Sequence, residues 1–553
     1  MWYQGTHDPS KYSLKGGLIT LYDQEVAFIN SRAITMDERQ PLVEAIYIRN
    51  GRIVFIGKND DVISQLRPKT KIIDLQGLTV LPGFVDSHIH LMGLALTHLW
   101  INLKEVSSIS ELKDTLKKYV RGKPKGSWIL GRGWDHEKFQ ERRYPTRLDL
   151  DEVSKEHFIV IIRVCGHLCV VNTRVLELLS KKLHLVGDVD LSQGIIKGNL
   201  IKELFKLIPS PTFEEIKECM KRSLEELVKA GITTVHAMSV TGEEMEMLQQ
   251  LRSNNLLSLR VRLYVHYSLI DELERLRIQR GFGDDFLKIM GVKIVIDGSL
   301  GARTAALEEP YSDDPENTGL LYMSYNELVK ILDKCKRMNL QPSIHVIGDK
   351  AVRLALKAIR EIYGNDISEH RPRLEHASLM PSELIERAKE LNGLVISIQP
   401  SFVISDFWAV DRVGRSRAKF LYPFNSLLSS GIRLIIGSDS PVENFDPMYQ
   451  IYAVVTRGRY EGIETYKYTC GQEIEVADAI KMYTLNGAYA TFEEKFAGSI
   501  SPGKRADFVI LSKNPLSATS LEIRNIKVLA TIVNGNFVYE SPEFREVIRE
   551  YEV

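Results

Sequence analysis

LPGFVDSHIHL, residues 81–91, ends an apolar run with two histidines two positions apart. Side chains in a strand alternate between faces, so His88 and His90 point the same way. Two imidazoles on one face at the end of a buried strand suit a borderline divalent cation. The segment therefore raises two expectations, a strand of a buried sheet and a ligand pair at its C-terminal end.

Seven further β-like runs follow at 232–238, 260–269, 287–298, 341–348, 371–378, 393–400 and 432–440; with 78–90 they make eight. Most later gaps carry helical periodicity, as in SYNELVKILDKCKRMN and PSELIERAKELN. Eight strands separated by helices predict a parallel sheet closed as a (β/α)8 TIM-like barrel, an α/β fold. One gap is far too long for a crossover: about 140 residues lie between the first and second runs. It contains helical SSISELKDTLKKYV and strand-like FIVIIRV, and reads as an insertion at about 97–225 over the barrel mouth.

Both ends of the chain differ from the middle. EVAFINSRAITM, VEAIYIRN and GRIVFIG read as short strands, with Asn50-Gly51 as a hairpin turn, and RADFVILSK and KVLATIVNGNFVYE repeat the style around Asn534-Gly535. Residues 18–80 and 497–553 are expected to form one small β-sandwich domain, with the barrel, 81–496, inserted between its halves. Lys plus Arg and Asp plus Glu number 72 each, so nothing points to nucleic acid. No stretch is long and apolar enough for a membrane span, and MWYQGTHDPSKYSLKGG lacks the apolar centre of a signal peptide. The five cysteines are scattered, which favours a reducing cytoplasm over a disulfide framework.

Chemistry in such barrels sits at the C-terminal ends of the strands. There stand His88 and His90 on the first strand, Lys293 on the fourth, His345 on the fifth, Glu375-His376 on the sixth and Asp439 on the eighth. Each alone has an ordinary explanation, such as a packed histidine or a capping aspartate. Lys293 is harder to dismiss, because a lysine inside GVKIVIDG is costly unless paired, neutralised or modified. Independent ordinary explanations for the four histidines, Lys293 and Asp439 together are improbable.

The chain also resembles a known family. LPGFVDSHIHL, GRGWDHEKF with PTRLDLDEV, CGHLCVVNT, AGITTVHAM, GVKIVIDGSLGARTAAL, IHVIGD, LEHASL, GSDSPV and GSISPGKRADFVIL together resemble the family 3 branch of the amidohydrolase superfamily, which includes N-substituted formamide deformylase. The resemblance runs from about residue 20 onward. It implies metal ligation by His88, His90 and Asp439 at one site and His345 and His376 at a second. Lys293 would carry a carbamate derived from CO2 and bridge the two. It implies one or two divalent ions, zinc by the imidazole ligands, and hydrolysis of a carbon–nitrogen bond other than a peptide bond by metal-activated hydroxide, with Asp439 and Lys293 catalytic. Trp134, Asp135 and His167 of the insertion, with Asp297 and Arg303 of DGSLGARTA, are expected to contact a small-molecule substrate; a homodimer is the implied assembly.

Two competing functions stay open. One is deamination of a heterocyclic base. Deaminases of the superfamily usually carry a glutamate three residues after the fifth-strand histidine, where this chain has Gly348. The other is a non-catalytic, metal-binding regulatory protein.

Overall fold

The computed structural model describes residues 25–163, 168–182, 189–197 and 199–552. The first tail, Cys165 and His167 lie outside them. The chain divides into two compact units, one running to Met92 and resuming at Ser223, the other Gly93–Arg222.

Eight parallel strands form the centre of the first unit: β1 Phe84–Ile89, β2 Ile232–Val240, β3 Arg260–His266, β4 Leu287–Val295, β5 Gln341–Val346, β6 Arg373–His376, β7 Val395–Ile398 and β8 Arg433–Ile436. Each pairs with its neighbour in sequence. The sheet is nearly closed. Just past β8, the amide of Asp439 donates to the carbonyl of His88 at 2.7 Å, and Ser438 N donates to Asp86 Oδ1 at 2.9 Å. Gly437 makes this approach possible, because a Cβ there would stand 2.5 Å from the backbone nitrogen of His88. Each of the eight runs read from the sequence contains one barrel strand, and the fold is the expected (β/α)8 barrel.

The helices outside are locally encoded. Tyr325–Arg337 begins at a reciprocal Ser324–Glu327 capping box, buries Leu328, Leu332 and Cys335, and ends with Lys334, Lys336 and Arg337, whose charges suit its C-terminal dipole. Asp349–Tyr363 buries a continuous stripe from Ala351 to Tyr363.

The run 78–90 is not one strand. Thr79–Pro82 pairs with Phe508–Leu511, and the barrel begins only after Gly83. Two sheets make the terminal domain. One is ordered Arg549–Glu552, Lys71–Asp74, Glu25–Ile29, Ala45–Arg49, Arg52–Gly57; the other Asn536–Glu540, Val528–Val533, Phe508–Leu511, Thr79–Pro82, Arg32–Ile34, Leu42–Val43. Val26, Phe28, Ile46 and Ile48 of the first sheet share one core with Val80, Phe508, Ile510 and Ile532 of the second. Both Asn-Gly pairs are hairpin turns with positive φ at each residue.

The second unit holds a six-stranded sheet ordered Val189–Asp190, Ile195–Lys197, Leu168–Val171, Phe158–Arg163, Trp128–Trp134, Ile101–Asn102. Its core joins Ile109, Leu112 and Leu116 of the helix Ile109–Val120 to Ile159 and Ile161. Among the described residues no helix is long and apolar enough to cross a membrane. Cys169, Cys335 and Cys470 are free thiols.

Candidate metal centre

β1 is buried along its whole length, and alternation puts Asp86 and His88 on the face that His90 continues. Asp86 Oδ1 accepts from His88 N at 3.1 Å as well as from Ser438 N, so this carboxyl fixes the strand end against β8 from below. Burial pushes Asp86 up to about 6 against those hydrogen bonds.

Four rings form an arc above it. Centroids lie 5.5 Å apart for His90–His88, 5.0 Å for His88–His376 and 4.6 Å for His376–His345. Asp439 closes the group, its Oδ1 3.2 Å from His90 Nε2 and 3.4 Å from His88 Nε2. Lys293 Nζ stands 3.0 Å from His88 Nε2. The six residues picked from the sequence thus meet at the C-terminal end of the barrel.

His88 is held from behind. Its Nδ1 lies 2.7 Å from Glu375 Oε2. Glu375 also accepts from Ser343 Oγ at 2.7 Å and from Arg373 Nε at 2.9 Å, and Arg373 in turn donates to Ser87 O at 2.7 Å. Strand register explains the cluster: Lys293 pairs with Ser343, Ser343 with Arg373, and His345 with Glu375, so these side chains share the barrel interior. With Nδ1–H donating to Glu375, the Nε2 lone pair of His88 faces the centre. Burial, reinforced by Lys293, draws His88 and His345 down to about 4, so both rings are neutral near pH 7. Burial also draws Lys293 down to about 8. Burial alone would raise Asp439, but the rings of His90, His88 and His376 hold it well below the usual carboxylate range. Asp439 and His376 have positive φ, 59° and 73°, a strained conformation of the kind that clusters at functional sites.

The donor set fits an ion. Nitrogen and oxygen ligands about 2.0–2.1 Å from a tetrahedral zinc are about 3.3–3.4 Å from each other. The contacts of Asp439 Oδ1 with both Nε2 atoms have that spacing, and this buried oxygen accepts no hydrogen bond. Nitrogen and oxygen ligand atoms of His88, His90 and Asp439 lie within 4.8 Å of one another. The rings of the second expected pair are close, but their nitrogens differ in what they meet. His376 Nδ1 is buried without a partner, whereas His345 Nε2 lies 3.0 Å from the carbonyl of Gly298.

The amidohydrolase family profile matches residues 71–539. The chain belongs to the amidohydrolase family. It is 30% identical to the Bacillus subtilis (strain 168) protein YtcJ over 522 residues, covering 92% of this chain and 98% of YtcJ. It is 24% identical to N-substituted formamide deformylase of Arthrobacter pascens over 550 residues, covering 94% and 98%. The crystal structure of an uncharacterized metal-dependent hydrolase from Pyrococcus horikoshii OT3 superposes with a TM-score of 0.75 at 35% identity, covering 90% of this chain and 99% of that one.

The other residues expected to touch substrate have their own local places in this amidohydrolase. Asp297 is fully buried, and its carboxylate accepts from the amides of Ala306, Ile347 and Gly348, which ties the loop after β4 to the loop after β5. Arg303 pairs with Asp313 at 2.8 Å. Within the second unit, Trp134 is buried beside Phe139 and Tyr144, and Asp135 pairs with Arg163 at 2.8 Å. His236 lies buried in the middle of β2, not at its end, with Nδ1 3.0 Å from Arg373 Nη1. The residues that sequence reasoning missed are Asp86, Ser343 and Arg373. The available signals were the alternation of Arg373 with Glu375 on a buried strand and that of Asp86 with His88 and His90; Ser343 carried none.

Proposed function

We propose that the chain is a metal-dependent hydrolase of small molecules that cleaves carbon–nitrogen bonds other than peptide bonds, of the amide, N-formyl amine or N-acyl amine type. The observation that carries this reading is the convergence of His88, His90 and Asp439 at the end of the barrel with Lys293 alongside. Two imidazoles and a carboxylate favour zinc over magnesium. His345, His376 and Lys293 are the groups that would hold a second ion.

Lys293 is suited to carbamate formation. A neutral amine is the form that adds to carbon dioxide, and burial already favours it here. The nitrogen–carbon bond forms, a proton leaves, and a costly buried cation becomes an anionic pair of oxygens. A bound ion supplies acidity to a water and draws charge from a carbonyl oxygen. Asp439 is placed to take the proton of the attacking water and return it to the leaving nitrogen. Glu375 keeps His88 in the tautomer that presents Nε2. Gly348 speaks against deamination: a Cβ there would lie 1.9 Å from the carbonyl oxygen of Ala306, so no proton-donating side chain fits. The free thiols agree with a reducing cytoplasm.

The test is turnover by zinc-reconstituted protein on a panel of N-formyl and N-acyl amines and amino-heterocycles. Cleavage of the amides, lost in H88A together with bound zinc, supports the reading. Ammonia release from the heterocycles alone would replace it with deamination. Stoichiometric zinc with no turnover on either class would favour a regulatory role.

A further inference from the structure

Four arginines are among the largest fully buried side chains: Arg260, Arg262, Arg373 and Arg457. Three meet a carboxylate through two nitrogens each, Arg260 with Asp507, Arg262 with Glu493 and Arg373 with Glu375. Arg457 does not. Its Nε, Nη1 and Nη2 are all buried without a hydrogen-bond partner, and no ion pair joins it to a described carboxylate. A guanidinium carries five donors and keeps its charge at neutral pH, even where burial draws it down to about 10, as at Arg457. A buried cation with no hydrogen-bonded counter-charge is costly, and the three paired arginines show the usual remedy.

The groups around Arg457 are committed elsewhere. Phe424 covers one side, its centroid 5.0 Å from the guanidinium carbon. The one charge that reaches it is that of Glu473, with the neutral phenols of Tyr422 and Tyr466 nearby. Glu473 accepts from Gly471 N at 2.6 Å and from Tyr466, and Tyr422 donates to Asp406. Two more unpartnered donors lie on adjoining segments, Ser405 Oγ and Thr465 Oγ1. Ser405 follows Ile404 and Thr465 follows Ile463 by two positions. Ile404 and Ile463 both crowd Gly458, with side-chain atoms 3.6 and 2.7 Å from where its Cβ would be.

We propose that Arg457 is the core of a buried binding site for a small monovalent anion of chloride size, set between the segments that follow β7 and β8. The enclosed position and the surplus of N–H and O–H donors select a compact anion. The site is separate from the metal centre, since none of its residues is a candidate ligand. It borders the mouth nonetheless: Phe402, one helical turn before Asp406, has its ring centroid 6.3 Å from that of His376.

The experiment uses the full-length protein with chloride and bromide as probes. Replacing gluconate by chloride at constant ionic strength should raise the thermal midpoint by about 2–4 °C, by preferential binding to the folded state. The R457M variant should lose that dependence. Crystals grown in sodium bromide should show an anomalous peak in contact with the Arg457 nitrogens. If R457M does not fold, the bromide crystal of the parent protein decides. A midpoint indifferent to chloride, or density at Arg457 that contains only water, overturns the proposal.

Discussion

Glu375 shows how one side chain sets the chemistry of another. It is fully buried, bonds His88 Nδ1, and takes three further hydrogen bonds from Ser343 and Arg373. Glu375→Gln weakens that hold and leaves Arg373 short of its counter-charge. Zinc affinity should fall about 10–100-fold, measured by competition with a chromophoric chelator. Asp439→Asn removes the proton carrier, and kcat should drop about 10²–10⁴-fold while zinc remains measurable. A titration away from the metal gives a third expectation. Burial raises Asp406 from 3.8 to about 7. Its folded pKa is the higher one, so the native state binds the extra proton. Stability is greatest below about pH 4 on this account and declines as pH rises to about 7, by at most about 4 kcal/mol. Asp406→Asn should flatten that part of the pH profile of the urea midpoint. His88 and His90 were legible because alternation alone places them on one face. Arg373 was not, because an inward arginine and an ordinary ion-paired one have the same letters around them. The orientation of His345 towards Gly298 depends on a loop the sequence could not fold.

At the scale of elements, the barrel strands were readable because burial on both faces makes them continuous apolar runs. The same continuity hid the break at Gly83. LTVLPGFVDSHIH gives no sign that its first half pairs with Phe508–Leu511, over 400 residues later. Gly83 allows the change of sheet, since a Cβ there would lie 2.2 Å from Thr233 Oγ1. The seam between β1 and β8 depends similarly on Gly437. Gly437→Ala puts a methyl group against the backbone of His88, which cannot yield without moving a ligand. The substitution should cost about 1–3 kcal/mol in chemical denaturation and reduce bound zinc along with it.

Across the whole molecule, the terminal domain and the barrel are joined by buried ion pairs. Arg260 of β3 holds Asp507, and Arg262 holds Glu493, which also accepts from Arg505. Asp507→Asn leaves Arg260 buried with half its counterpart gone and should cost about 3–5 kcal/mol, measured by urea unfolding. The expectation of an insertion at about 97–225 rested on the length of one gap alone; the second compact unit runs Gly93–Arg222. The order of its sheet was not legible, since short strands of mixed direction carry no sign of their partners. The terminal domain draws its middle strands from distant parts of the chain, with Phe508–Leu511 between Thr79–Pro82 and Val528–Val533. A ribosome therefore makes Thr79–Pro82 long before its partner exists. Until residue 533 has emerged, the early strands have an open edge, and the growing polypeptide must be shielded from its neighbours. A message cut short before Phe508 should yield aggregates rather than a smaller enzyme.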